Sequence, residues 1–95
     1  MTIFNTPRPN VIESSEGYRV EVLGRTGVQY TEGQKSMQID SEVLAGPSGL
    51  VIYTNTISAW DAPNHVVRIE DLDRARIIGN IRAAFKFRGY DIEVI

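Results

Sequence analysis

Cysteine is absent from the 95 residues, and histidine and tryptophan each occur once. Without cysteine there is no disulfide, no thiolate metal site and no cysteine nucleophile. A single histidine, His65, excludes a histidine-rich metal centre, and any histidine-based catalysis would rest on it alone. Long apolar runs are missing as well, so no segment suits a transmembrane helix. Nor is there a basic excess. Ten Lys and Arg against twelve Asp and Glu leave a net charge of -2, which argues against a broad nucleic-acid footprint. The stretch Thr2-Ile3-Phe4-Asn5 has neither the basic nor the apolar region of a secretory signal. A cytoplasmic protein is the expectation, and the lack of cysteine is compatible with that reducing compartment. What is present is ordinary globular composition, 42% apolar and 23% charged. A chain of this length makes one domain with one modest core.

Residues 1–16 carry Pro7, Pro9, Asn10, Ser14 and Ser15 and show no sustained periodicity. They read as an N-terminal arm or edge segment, pinned at its end by Val11 and Ile12 to a single domain over residues 17–95. Alternation becomes regular at Tyr18, where Tyr18, Val20 and Val22 share one strand face against Arg19 and Glu21. Gly24-Arg25-Thr26-Gly27 is a turn, Val28 to Thr31 a second strand, and Glu32-Gly33-Gln34-Lys35 the next turn. In the following strand Met37, Ile39 and Val43 point inward, with Gln38, Asp40 and Glu42 outward. Gly46-Pro47-Ser48-Gly49 breaks the chain. Leu50-Val51-Ile52-Tyr53 is apolar on both faces and suits a strand covered on both sides. His65 to Ile69 reads as one more short strand. These short loops favour antiparallel pairing, because parallel neighbours need crossovers of a dozen or more residues.

The helix comes late. Glu70, Asp71 and Asp73 open it and Arg82, Lys86 and Arg88 close it, an order that complements the helix macrodipole. Ile77, Ile78, Ile81, Ala84 and Phe85 fall within about 120° of helical arc, a core-facing stripe. Gly89 is placed to end the helix in the left-handed conformation. Tyr90, Ile92 and Val94 then alternate against Asp91 and Glu93. The expected fold is α+β: an antiparallel meander of five to six strands, one long C-terminal helix on one face, and a final strand.

No residue constellation here makes an active site. Ser58, Asp61 and His65 lie close in sequence, but a triad is a matter of geometry and no nucleophile elbow surrounds Ser58. Gly24-x-x-Gly27 is followed by no helix, so it is neither a P-loop nor a dinucleotide fingerprint. Asp40 and Glu42 share a strand face; they are either ordinary solvated acids or a negative patch for a basic partner. Trp60, in Ser58-Ala59-Trp60-Asp61-Ala62-Pro63-Asn64, either plugs the sheet edge or anchors in a partner's pocket. Phe87 lies off the apolar stripe, under the N-terminal arm or exposed.

Taken in order, Val28-Gln29-Tyr30-Thr31-Glu32-Gly33, Ile39-Asp40-Ser41-Glu42-Val43-Leu44, Val51-Ile52-Tyr53 and Ile57-Ser58-Ala59-Trp60-Asp61-Ala62-Pro63 resemble a small family. The helix that ends at Gly89 before Ile92-Glu93-Val94 continues the pattern, over roughly residues 18–95. The family is immunity protein 74, among the immunity proteins of bacterial polymorphic-toxin systems. The resemblance implies a mostly β protein with no catalytic residue and no cofactor, which binds a cognate protein toxin stoichiometrically and blocks it. From the charge balance and the lack of long apolar runs, no nucleic-acid or membrane partner is expected. Under that reading the partner surface is Asp40 and Glu42 on the acidic strand with Trp60, Asp61 and Asn64 on the tryptophan loop. The alternative is a small non-enzymatic accessory domain, homodimeric through a sheet edge. The protein is thus expected as a monomer or homodimer.

Overall fold

The structure, a computed structural model, describes residues 2–43 and 49–95. Its strands are β1 (Phe4–Arg8), β2 (Val11–Ser14), β3 (Tyr18–Val22), β4 (Gly27–Glu32), β5 (Lys35–Val43), β6 (Leu50–Ile52) and β7 (Ile92–Val94). One helix, α1 (Asp71–Phe87), precedes β7, and short 3-10 turns occupy Thr54–Thr56 and Asn64–Val66. All the strands lie in one sheet in chain order. The fold is α+β, as the alternation and the charge order along the helix predict.

Cross-strand register explains why this pattern folds so. Ile12, Val20, Tyr30 and Met37 face one another across β2, β3, β4 and β5, and Val22, Val28 and Ile39 form the next row. These inward residues meet Ile77, Ile81, Ala84 and Phe85 of α1 in one core. Ile77 and Ile81 are fully buried, and each such side chain contributes on the order of 1.5–3 kcal/mol. At the helix start the Glu70 N–H donates to Asp73 Oδ2 at 2.9 Å. At its end Gly89 has φ +85°, its N–H bonds the Lys86 carbonyl and that of Tyr90 the Phe85 carbonyl. This is a Schellman stop, which needs the left-handed backbone that glycine adopts without strain.

β5 is the hinge of the sheet. Residues Lys35–Asp40 pair with β4, whereas Ser41–Val43 pair with β6. On the side away from β4, no strand among the described residues flanks the first half of β5. The chain instead runs back along it: Asp40 N–H donates to Thr56 Oγ1 at 3.0 Å, and Asp61 N–H to the Ser36 carbonyl at 2.8 Å. Ile57 and Trp60 drop from this segment into the core.

Residues 4–14 form two paired strands at the sheet edge, with Val11 and Ile12 buried. Pro7 is tolerated because β1 is an edge, where an N–H is dispensable. Three details depart from expectation. His65 to Ile69 is not a strand: Asn64–Val66 turns on local hydrogen bonds and Val66 is exposed, because the free side of β5 is already taken by residues 54–61. β7 pairs with β6 in parallel, the crossover being supplied by the long connection that contains α1. Val43, expected inward, is exposed at the end of β5. Of the break expected at Gly46-Pro47-Ser48-Gly49, the first three residues lie outside the described residues. Phe87 packs on Phe4 of β1, ring centroids 5.2 Å apart, while remaining half exposed.

Candidate functional site

One helix covers one face of the sheet. The other face is mostly polar across β1 to β5, with Glu13, Arg19, Thr31 and Ser36 in one row and Glu21, Gln29 and Gln38 in the next, the latter starting at buried Val11. Along β5 the alternation places Ser36, Gln38, Asp40 and Glu42 on this outer side, and the last three are exposed. Asp40 and Glu42, two residues apart, stand about 7 Å from each other along the strand.

Parallel pairing adds what linear reading misses. Glu42 is opposite Val51, and Val51 is opposite Glu93, so two carboxylates flank a buried valine across β6. Two strand spacings put Glu42 and Glu93 about 10 Å apart. Tyr53, two residues beyond Val51, donates its hydroxyl to Glu42 Oε2 at 2.8 Å. That bond to a carboxylate raises the phenol pKa above its ordinary value. Ile95, two beyond Glu93 on the same side of β7, is 67% exposed. Thr26, Gln38, Asp40, Ser41, Glu42 and Tyr53 line a shallow open depression here. Among the described residues the ion pairs are Arg68–Glu70, Arg74–Asp71, Arg76–Glu32 and Arg76–Asp73. Asp40, Glu42 and Glu93 belong to none of them. The outcome is a patch in which Tyr53 and Ile95 stand around buried Val51, with an acidic border that has no ion pair among the described residues.

The tryptophan loop is organised differently. Trp60 is 3% exposed; its ring lies 6.2 Å from that of Tyr30, and Lys35 Nζ stands 5.0 Å from its centroid on the other flank. Its side chain therefore builds the core, and only Lys35 and the loop around it meet solvent. Asp61 is tied to the start of β5, its Oδ2 accepting from Ser36 Oγ at 3.5 Å. Asn64 Nδ2 donates to the Gln34 carbonyl at 3.3 Å. Asp61 thus sits beside the row that runs through Ser36, Gln38 and Asp40 to Glu42. Asn64 lies past its end, at the β4–β5 turn. Ser58, Asp61 and His65 share no hydrogen bond among the described residues.

A second polar cluster joins the helix to the sheet. Tyr30 hydroxyl donates to Glu32 Oε2 at 2.6 Å and accepts from Asn80 Nδ2 at 2.9 Å. Arg76 reaches both Glu32 and Asp73. Burial, reinforced by the Glu32 bond, pushes the Tyr30 pKa well up. The Arg76 guanidinium is held more firmly charged by its bond to Asp73. This cluster clamps α1 to β4. Among the described residues no group of three or more His, Asp or Glu is placed to hold a metal ion, and no helix is long and apolar enough to cross a membrane.

A family model described as Immunity protein 74 matches residues 19–95. The chain belongs to the immunity protein 74 family. Its match begins at β3 and takes in the whole acidic patch, the tryptophan loop, α1 and β7, leaving β1 and β2 outside. No curated protein and no solved structure is significantly similar to the chain. An immunity role in general, with a toxin as the general class of partner, follows from that membership.

Proposed function

We propose that this immunity protein neutralises one cognate bacterial toxin by stoichiometric binding, without turnover, in the cytoplasm of the cell it protects. The contact is assigned to the outer face of β5, β6 and β7, with Asp40, Glu42 and Glu93 bordering Val51, Tyr53 and Ile95, and with Asp61 and Asn64 extending it along β5. The observation that carries this reading is the set of exposed carboxylates left without an ion pair beside an exposed apolar residue, in a chain of this family. Charges not satisfied within the fold are available to a basic partner surface, where they speed encounter and fix orientation. An apolar and aromatic centre supplies the desolvated contacts that hold a complex together. Trp60, buried as it is, supports the loop and Lys35 rather than inserting into a partner.

The test is calorimetric titration of the protein into the C-terminal domain of the toxin-like protein encoded beside it. Nanomolar 1:1 binding, about -12 kcal/mol, is the expected result. In stopped-flow mixing at low salt, the double variant Asp40→Lys, Glu42→Lys should associate roughly tenfold more slowly, with the difference shrinking as salt is added. Tight binding with an unchanged on-rate would move the contact off this face.

A further inference from the structure

The two rims of the sheet differ. β1 carries Pro7 within the strand, and its register with β2 slips between Asn5 and Arg8. A broken ladder with a missing N–H is a poor template for another strand. β7 contains no proline and runs in unbroken register with β6 from Ile92 to Val94.

Hydrogen bonds fix which of its main-chain groups face outward. Ile95 N–H donates to the Ile52 carbonyl at 3.0 Å, and the Ile95 carbonyl accepts from Thr54 N–H at 2.8 Å. Main-chain direction alternates along a strand, so Glu93 and Ile95 turn toward β6 while Ile92 and Val94 turn away. The Ile92 N–H is occupied by Asp91 Oδ1 at 2.9 Å. The Val94 N–H and the carbonyls of Ile92 and Val94 remain on the rim, with no strand beyond them among the described residues.

We infer that an extended segment of the toxin adds to this rim as an eighth strand. The inference rests on the toxin-binding reading above and names how part of that contact is made. Charge and alternation specify the segment. On the outer side it lies beside Glu93, the exposed carboxylate of β7, so it presents Lys or Arg there. On the inner side its neighbours are buried Ile92 and half-buried Val94, so the alternate positions are apolar. A second copy of this chain fits worse. Two β7 strands related by a two-fold axis set Asp91 against Glu93 when centred on Ile92 and Glu93 against Glu93 when centred on itself; only the register centred on Val94, which opposes Glu93 to Ile95, avoids like charges. Like charges directly opposite destabilise a pair.

Val94→Pro tests the inference, because it deletes the outward N–H while the bonds to β6 come from Glu93 and Ile95. Val94→Ala is the packing control. Against the neighbouring toxin domain, Val94→Pro is expected to bind about tenfold or more weakly than Val94→Ala. Hydrogen exchange on the wild-type complex, which needs no variant to fold, should show the Val94 amide newly protected. No binding by the wild-type protein overturns the toxin reading and this inference with it. Tight wild-type binding that Val94→Pro retains, with the Val94 amide exchanging as in the free protein, overturns the added strand alone. Sedimentation of the free protein as a dimer that Val94→Pro dissociates would give the rim to a second copy and overturn it too.

Discussion

Trp60 offers the sharpest test of the division between core and contact surface. Its side chain is almost fully buried, faces Tyr30, and carries Lys35 on one flank. Truncation to alanine removes roughly 200 Å² of buried aromatic surface, and large-to-small changes of this kind cost about 3–5 kcal/mol. A domain of this length has about 5–14 kcal/mol in total, so Trp60→Ala should retain a fraction of its stability or none. With a urea dependence of about 1.5 kcal/mol per molar, the midpoint should fall by about 2–3 M. Far-UV circular dichroism is the assay, since the variant lacks the only tryptophan and its fluorescence. Lys35→Ala should cost about 0.5–1 kcal/mol in the wild-type background and nothing further in Trp60→Ala, the signature of a cation–π contact. A Trp60→Ala midpoint within about 0.5 M of wild type, accompanied by loss of toxin binding, would refute the burial argument and make Trp60 an anchor.

The clamp between α1 and β4 gives the next prediction. Tyr30→Phe removes a donor to Glu32 and an acceptor for Asn80 and should cost about 1–2 kcal/mol, lowering Tm by several degrees. A double-mutant cycle with Asn80→Ala should show the two changes to be less than additive. Acid sensitivity follows from Asp73. The Glu70 N–H, followed by Arg76, holds its carboxyl below 3.8, so its contribution is present above the unfolded pKa and lost as pH falls through the lower folded value. Asp73→Asn should therefore flatten the loss of stability below about pH 4; an unchanged acid limb in urea titrations would count against that helix cap.

Much of the fold was readable because local pattern and tertiary outcome agree. β3, β4 and β5 alternate with period two, and α1 shows both its stripe and its charge order, so each declares itself without help from neighbours. β1 and β2 did not, because proline argues against a strand except at an edge, and edge position is a tertiary fact. His65 to Ile69 misled for the opposite reason: its composition suits a strand, but residues 54–61 already occupy the side of β5 where it would pair. Asp40 and Glu42 could be placed on the outer face from alternation alone. Glu93 could not be joined to them, since that requires knowing that β7 returns beside β6 and does so in parallel. Tyr53 was hidden for the same reason, being read as the end of a covered strand.

The layering also separates what the fold needs from what a partner can read. One helix of 17 residues spans about 25 Å and buries one face of the sheet, and the ladder of Ile12, Val20, Tyr30 and Met37 is bound to it by packing. On the opposite face the rows through Glu13, Arg19, Thr31 and Ser36, and through Glu21, Gln29 and Gln38, meet no covering element among the described residues. Surface substitutions of that kind usually change stability by no more than about 0.5 kcal/mol. Such a face can change its charges and shape without cost to the core. A binding protein that must discriminate between partners needs that freedom, because specificity is a difference between affinities. Val11 and Val51 are buried exceptions on this face, and Val51, between Glu42 and Glu93, ties those acids to the strands that position them.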